Sequence, residues 1–142
     1  MGAERLPQAA KKVRLRLFTH VESATITDAS GNPVGRTPTT GDHIYVTDRG
    51  YSGNHKRPSN AYTAADHLAC AFTGPTTGLC DGQFAIGSSM VLLDHFTFDF
   101  AASHQTFQVT GGSGRYKGAK GTVSVTTVGT SGNDSDIVIK LR

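Results

Sequence analysis

The stretch Phe107-Gln-Val-Thr-Gly-Gly-Ser-Gly-Arg-Tyr-Lys-Gly-Ala-Lys-Gly-Thr-Val-Ser-Val125 decides the fold expected for this chain. One alternating apolar and polar run enters it, glycines surround a short basic turn, and a second alternating run leaves. Glycine permits positive φ angles and close backbone approach, both of which a strand-to-strand crossing requires. Phosphate-binding loops are excluded because no Gly-Lys-Ser/Thr follows and position 117 is Lys where a dinucleotide site needs Gly or Ala. The stretch therefore predicts two strands joined by a tight structural crossing.

Strand-like alternation recurs along the rest of the chain, whereas a helical stripe with a period of 3.6 residues is absent. The pattern predicts seven to nine short strands, at 13–21, 24–27, 42–48, 67–72, 83–92, 95–100, 106–109, 122–128 and 136–141. Residues 51–63 are expected to form a loop. Spacing of this kind indicates an all-β fold, and a closed antiparallel eight-stranded barrel is favoured because it leaves no sheet edges. We expect residues 1–11 to be a flexible leader and residues 12–142 to form a single barrel domain.

Composition limits the classes of partner. The chain has 142 residues and a formal net charge of +3, with basic residues grouped at 11–16, 55–57 and 115–117. Nucleic-acid binding would need a denser basic patch interleaved with stacking aromatics. A membrane span would need about 18 consecutive apolar residues. We therefore expect neither a nucleic-acid nor a membrane partner, and the basic groups are interpreted as solvated rims. The six scattered His residues lack ligand spacing, so no metal site is expected.

The two cysteines, Cys70 and Cys80, lie on either side of a turn-forming segment at 74–78. A hairpin at this turn would bring the two thiols opposite each other, where a disulfide is plausible. The first residues lack the apolar segment of a secretory leader. Two interpretations therefore stay open: a cytoplasmic chain with free thiols, or a secreted chain from which a leader has been removed.

Residues 111–121, Gly-Gly-Ser-Gly-Arg-Tyr-Lys-Gly-Ala-Lys-Gly, resemble the GGTGxYxGAxG motif of dirigent and allene-oxide-cyclase-like barrels. Residues 41–48 are similar to the GDxFVF strand of dirigent-type proteins, and residues 28–35 resemble their acidic turn. Residues 70–88 resemble the paired cysteines of the bacterial members, with the Gly-Gln strand that follows them. The resemblance covers roughly residues 40 to 128.

This resemblance implies an eight-stranded barrel with an apolar cavity, no cofactor and no metal. It also implies a homo-oligomer, a dimer or a trimer. Members of the family steer the coupling or ring closure of phenolic intermediates, or close an allene oxide into a cyclopentenone. Plant members carry an acid and an arginine at the positions that match Gly114 and Lys120. Since neither residue is present here, the plant chemistry is not transferred to this chain.

Candidate site residues come from the alternation of strand faces, because every second side chain of a barrel strand points inward. The residues proposed as catalytic are His43, Tyr45, His95 and Asp99. Those proposed to bind substrate are Arg16, Phe18, Thr47, Thr97 and Phe98. If these faces point inward, they surround an apolar cavity with acid and base groups. If they point to solvent, the Val, Leu and Phe faces fill a solid core instead.

The function predicted from these features is binding of a hydrophobic small-molecule intermediate and control of its stereoselective cyclisation or isomerisation. The reaction would need no cofactor and would belong to secondary, natural-product metabolism. The alternative is a non-catalytic secreted barrel that carries a hydrophobic ligand. A carbohydrate-binding domain has less support, because such a site needs exposed aromatics and the chain has four Tyr and no Trp.

Overall fold

A computed structural model describes residues 12–142, so the expected leader lies outside the described residues. Alternating apolar and polar residues form ten strands: β1 Val13–Thr27, β2 His43–Asn54, β3 Arg57–Pro58, β4 Ala64–Phe72, β5 Thr77–Ile86, β6 Ser89–Asp99, β7 His104–Val109, β8 Gly111–Ser113, β9 Gly121–Val128 and β10 Asp134–Leu141. One turn of 3-10 helix, Gly114–Tyr116, follows β8. Within residues 12–142, none of the helical structure has the length and apolar character needed to cross a membrane.

The strands pair antiparallel in the order β7-β9-β10-β1-β2-β4-β5-β6-β8, and the short β3 pairs with β2 alone. Only Thr110 separates β7, which pairs with β9, from β8, which pairs with β6. A single stretch of chain thus joins the two ends of the sheet and nearly closes the ring. The predicted all-β antiparallel barrel is confirmed, with nine strands along this path instead of eight.

One seam remains in the barrel, between β6 and β7. At one end of it the Thr110 amide donates to the Leu92 carbonyl at 2.9 Å. At the other end the Gln105 side chain takes the place of a strand backbone. Its Nε2 donates to the Asp99 carbonyl at 2.7 Å and its Oε1 accepts from the Asp99 amide at 2.8 Å. Side chains therefore hold this part of the wall where ladder hydrogen bonds hold the rest.

The predicted strands differ from the observed ones in several places, of which three follow. The first two predicted strands are one strand, β1, which bends at a β-bulge between Val21 and Ser23. The predicted strand 83–92 is wrong because a turn at Gly87 and Ser88 divides it, and Gly87 has a φ of 61°. The expected loop 51–63 is partly strand, since β2 continues to Asn54 and β3 follows. The first two differences lie at a bulge and a turn that the alternation did not reveal, and the third lies where polar residues continue a strand.

The glycine-rich crossing closes one end of the barrel. Tyr116 and Ala119 of this segment are buried in the main core cluster. A Cβ on Gly112 would lie 2.2 Å from the Tyr116 carbonyl oxygen, and one on Gly121, at φ 144°, would lie 1.8 Å from the Lys140 carbonyl oxygen. No other residue fits such contacts, so the glycines serve backbone packing, as the sequence predicted.

The two halves of the barrel have different interiors. We call the half near the crossing the closed half; its core contains Leu17, Val91 and Ile139. The open half ends in the loops at 28–42, 73–76, 100–103 and 129–133. A second, smaller cluster lies on the wall of the open half and includes Ile44, Phe72 and the Cys70–Cys80 disulfide. The two cysteines are direct partners in the β4–β5 ladder, as the hairpin prediction required.

Candidate functional site

A cavity of about 240 Å³ lies inside the open half of the barrel. Most of its wall is apolar, and five phenylalanines belong to it: Phe84, Phe96, Phe98, Phe100 and Phe107. Polar side chains reach it from several strands and loops: Thr19, Asp48, Asp66, Gln105, Thr127, Asn133 and Ser135. Apolar walls with a few convergent polar groups are typical of small-molecule sites.

Small residues on part of the wall contribute to the space inside the open half. Ala24, Gly82 and Ala102 line the cavity, whereas Leu17 and Ile139 fill the core of the closed half. A barrel of this size has an interior just wide enough for its own side chains to fill. Shortening several of them at one end therefore leaves space for a ligand.

Two carboxyl groups meet on the cavity wall. Asp48 of β2 and Asp66 of β4 are direct cross-strand partners, and both belong to the inward face of their strands. Asp66 is only 8% exposed. One carboxylate oxygen of Asp48, Oδ1, is buried without a hydrogen-bond donor within residues 12–142. A buried acceptor of this kind costs free energy unless something supplies a proton or a donor.

The environment sets the charge of this pair. Burial raises the pKa of Asp66 well above its usual value, and the hydrogen bond with Asp48 and its charge raise it further. Burial also raises the pKa of Asp48, while the hydrogen bond with Asp66 and the nearby His20 and His67 act in the opposite direction. Two adjacent carboxylates in an apolar site do not both ionise. Burial therefore favours the neutral, protonated carboxyl at this pair, and more strongly at Asp66 than at Asp48.

Such a pair provides an acid and a base at one place. A carboxylic acid that stays neutral in a buried site can donate a proton or a hydrogen bond, and its ionised partner can accept one. The phenylalanines of the wall supply an apolar surface that would hold a hydrophobic molecule against the two carboxyls. The arrangement can therefore orient an apolar ligand and move a proton on it.

The predicted face of β2 points the other way. His43, Tyr45 and Thr47 lie on the outer surface, where Tyr45 is 51% exposed and the Thr47 hydroxyl hydrogen-bonds His67 Nδ1 at 3.2 Å. This is the outward orientation, one of the two that the alternation left open. Alternation fixed which residues share a face, but which face met the cavity depended on the sheet's curvature.

The predicted residues of β6 divide between the two faces. Phe98 lines the cavity, whereas His95 and Thr97 are exposed outside it. His95 lies at an irregularity in the β5–β6 pairing and has a φ of 51°. Asp99 accepts a hydrogen bond from the Ala101 amide at 2.9 Å and so supports the turn after β6. A substrate contact by Phe98 stays a prediction; the other three residues do not line the cavity.

The predicted residues of β1 also lie outside. Arg16 is exposed, and Phe18 packs against Tyr51 on the outer surface with 6.3 Å between the ring centroids. Their inward partners in the alternation are Leu17 and Thr19, both buried. Neither predicted residue reaches the cavity.

Sequence reasoning missed Asp48, Asp66 and Gln105. A signal was present for the first two, because each acid lies in register with the apolar face of its strand. Asp48 follows Ile44 and Val46 at two-residue spacing, and Asp66 precedes Leu68 in the same way. An acid on an apolar face needs a partner or a function. Gln105 carried no such signal, since its role at the seam depends on β6. Within residues 12–142, no group of three or more His, Cys, Asp or Glu side chains is placed to hold a metal ion.

Comparisons with known proteins rest on structure. No protein-family model and no curated protein matches the chain by sequence. A pyocyanin demethylase superposes with a TM-score of 0.69 at 20% identity, covering 92% of this chain and 100% of the other. A pterocarpan synthase dirigent protein superposes with a TM-score of 0.68 at 10% identity, covering 93% of this chain and 94% of the other. An exo-specific intermolecular Diels-Alderase superposes with a TM-score of 0.62 at 11% identity, covering 92% of this chain and 96% of the other. These matches support the resemblance at the level of fold: the chain has the dirigent and cyclase-like barrel.

Proposed function

We propose that this protein binds a hydrophobic small molecule in its barrel and controls the molecule's cyclisation or isomerisation, with Asp66 as the acid and Asp48 as the base. The observation that carries the proposal is the pair of facing carboxyls inside an apolar cavity. Their burial works against the stability of the fold, because a solid apolar core would avoid it. A catalytic role gives a reason for keeping them.

The proposed chemistry is a proton transfer at each end of a rearrangement. Asp66 protonates an oxygen of the substrate, such as a carbonyl or epoxide oxygen, as electrons move toward it. Asp48 removes a proton from the neighbouring carbon or hydroxyl, so the substrate gains and loses one proton and its formula is unchanged. The pair then passes one proton back from Asp48 to Asp66. General acid and base assistance of this kind contributes about 10²–10⁴-fold to a rate.

Shape provides the second part of the proposed mechanism. The volume of about 240 Å³ lies just below the range usual for drug-sized ligands, which indicates a compact substrate. Holding a flexible precursor in one folded conformation lowers the entropy cost of ring closure and selects one stereoisomer. The phenylalanine wall would hold that conformation.

The structural matches support this class of function. The matched proteins include a dirigent protein described as a pterocarpan synthase and an enzyme described as a Diels-Alderase. Both names refer to reactions that build small organic molecules, so a place in natural-product metabolism follows as part of the proposal. The expected dimer or trimer stays a prediction, which light scattering can test.

The decisive experiment compares Asp66→Asn and Asp48→Asn with the unaltered protein on a panel of phenolic, polyene and epoxide precursors. Chiral chromatography would follow product formation. Each variant is expected to lose about 10²–10⁴-fold in rate. Asp81→Asn is the matched control, because it removes one carboxylate from the exposed outer surface. Unchanged rates in both cavity variants would contradict the assigned roles, and no product change across the panel would contradict catalysis.

A second function is favoured by the Cys70–Cys80 disulfide. Disulfides persist mainly in oxidising compartments outside the cytosol, which fits a secreted carrier of a hydrophobic ligand. A carrier would retain ligand in the cavity and leave it chemically unchanged. Mass spectrometry of ligand that copurifies with the protein, before and after incubation, separates carriage from turnover.

A further inference from the structure

The outer surface of the closed half carries a dense group of positive charges. Six exposed side chains lie on adjacent strands β1 and β10 and at the start of β9. We call them the basic patch: Lys12, Arg14, Arg16, Lys120, Lys140 and Arg142. They come from three separate parts of the sequence. The fold brings them together because these strand ends are neighbours in the sheet.

The register places like charges directly opposite each other. Arg14 faces Lys140 across the β1–β10 ladder. Lys120 and Arg142 face each other at the end of the β9–β10 ladder, where the Arg142 amide donates to the Lys120 carbonyl at 2.9 Å. Cross-strand partners lie about 5 Å apart, and like charges at that spacing destabilise a sheet. Two adjacent pairs of this kind are therefore a cost that the fold itself does not require.

The patch has no neutralising acids within the described chain. None of its six side chains has a carboxylate of residues 12–142 within 4.0 Å, whereas Arg36 and Arg49, which lie elsewhere, pair with Asp42 at 2.7 Å and Glu22 at 2.9 Å. Asp136 on β10 is bound instead to the amide and ring of His55. Four other cations also lack a carboxylate partner among the described residues: Lys56, Arg57, Arg115 and Lys117. What distinguishes the patch is therefore the number of such cations on one face, which an anion supplied from outside would neutralise.

The shape of the patch selects the kind of anion. It lies on the outer face of adjacent strand ends in the sheet. The large exposed hydrophobic residues of the described chain are Tyr45, Tyr62, Leu79 and Phe100, and none lies on β1, β9 or β10. Bases would therefore find no stacking partner, and a bilayer would receive no inserted side chain. A flat layer of anionic headgroups fits, since clusters of four to eight Lys and Arg are typical of anionic-lipid recognition.

We propose that the basic patch docks this protein on an anionic phospholipid bilayer by headgroup electrostatics, without insertion. This proposal differs from the sequence-based expectation that residues 11–16 form a solvated rim and that no membrane partner exists. Because the patch lies on the closed half, docking would leave the open end of the cavity accessible to substrate. The inference rests on surface charge alone and is independent of the chemistry proposed for the cavity.

The test is cosedimentation of the protein with vesicles of phosphatidylcholine alone, or of equal parts phosphatidylcholine and phosphatidylglycerol. Binding to the mixed vesicles is expected, and it should fall as added salt screens the charges. Lys140→Glu reverses one charge at the centre of the patch. The change from Lys to Glu alters the charge by two units, and each unit near the surface is worth about 1 kcal/mol. We therefore expect a roughly 30-fold weaker affinity for the mixed vesicles.

The same variant controls for folding, because it places a carboxylate opposite Arg14 and should leave stability equal or higher. Arg49→Glu makes the same change in net charge outside the patch and is expected to bind nearly as well as the unaltered protein. Equal loss in both variants, or equal binding to both kinds of vesicle, would overturn the proposal. Tighter binding to duplex DNA than to mixed vesicles at matched phosphate concentration would identify a nucleic-acid surface instead.

Discussion

The closed and open halves of this barrel are built from the same strands and differ in the side chains that face the interior. In the closed half, Val91 and Ile139 are completely buried in a continuous apolar core. In the open half, the same alternation brings Asp48 and Asp66 to the wall of a cavity. The closed half stabilises the fold through close packing. The open half is less closely packed and contains a cavity with polar groups. The difference shows how a small β-barrel can hold an unfavourable site without losing its fold.

The largest expected effect concerns Phe107, which joins the two halves across the seam. The centroid of its ring lies 4.7 Å from that of Phe96 and 5.6 Å from that of Phe98, and Phe107 is 8% exposed. Phe107→Ala should lower the free energy of unfolding by about 3–5 kcal/mol in urea denaturation, because it leaves a cavity in the core. Phe100→Ala, at the 36% exposed rim of the open half, should cost less than about 1 kcal/mol. Equal losses would remove the distinction between core and rim.

The next effect concerns the disulfide on the wall of the open half. Cys70 and Cys80 are ten residues apart, and a crosslink over a loop of this length stabilises by about 2–3 kcal/mol. Adding a reductant should lower the urea midpoint of the unaltered protein accordingly. A double variant, Cys70→Ala with Cys80→Ala, should start at the lower midpoint and should not respond to reductant. If reduction left the midpoint unchanged, the small core of the open half would need no crosslink.

A third test adds the same bulk to each half. Ala64 is buried in the core of the closed half, and Ala24 lines the open cavity. Ala64→Leu should lower the free energy of unfolding by about 1–3 kcal/mol through overpacking. Ala24→Leu should change it by less than about 0.5 kcal/mol, since its side chain has space to enter. Similar costs at both positions, measured by thermal unfolding, would show that the cavity is not available space.

The smallest expected effect is a pH dependence of stability due to Asp66. Burial and the nearby Asp48 raise its pKa in the folded state, so the folded state holds the proton to higher pH than the unfolded state does. Stability is therefore fully present below the unfolded pKa, near 4, and is lost as pH rises through the folded pKa. Asp66→Asn cannot ionise, so this loss should be absent.

Unfolding curves from acid to neutral pH provide the measurement. The unaltered protein and Asp66→Asn should have similar stability at low pH, and the variant should become the more stable one as pH rises. Asp81→Asn, on the exposed outer surface, should follow the unaltered protein at every pH. A constant gap between the Asp66→Asn curve and that of the unaltered protein would mean that this carboxyl is not the titrating group.

Sequence reasoning reached the fold through particular residues. The glycines at 112 and 121 sit where a Cβ would collide with backbone oxygens, so their spacing carried structural information directly. The turn at Asp28 was equally readable, because its carboxylate accepts from the Ser30 and Asn32 amides close by in sequence. The placement of Tyr45 and Asp99 outside the cavity could not be read from the sequence, because it depends on which face of each strand curves inward. That choice depends on the whole ring of strands.

The order of residues alone determined the alternation, the turns, the hairpin of Cys70 and Cys80, and the glycine crossing, since all of these depend on neighbours along the chain. Only the tertiary structure decided that Asp48 meets Asp66 and that Gln105 bridges the seam to Asp99. It also decided that Arg14 lies opposite Lys140, more than a hundred positions away. Strand register and sheet closure set these contacts. Register and closure depend on the free energy of the whole barrel, so they cannot be read from any short segment of the sequence.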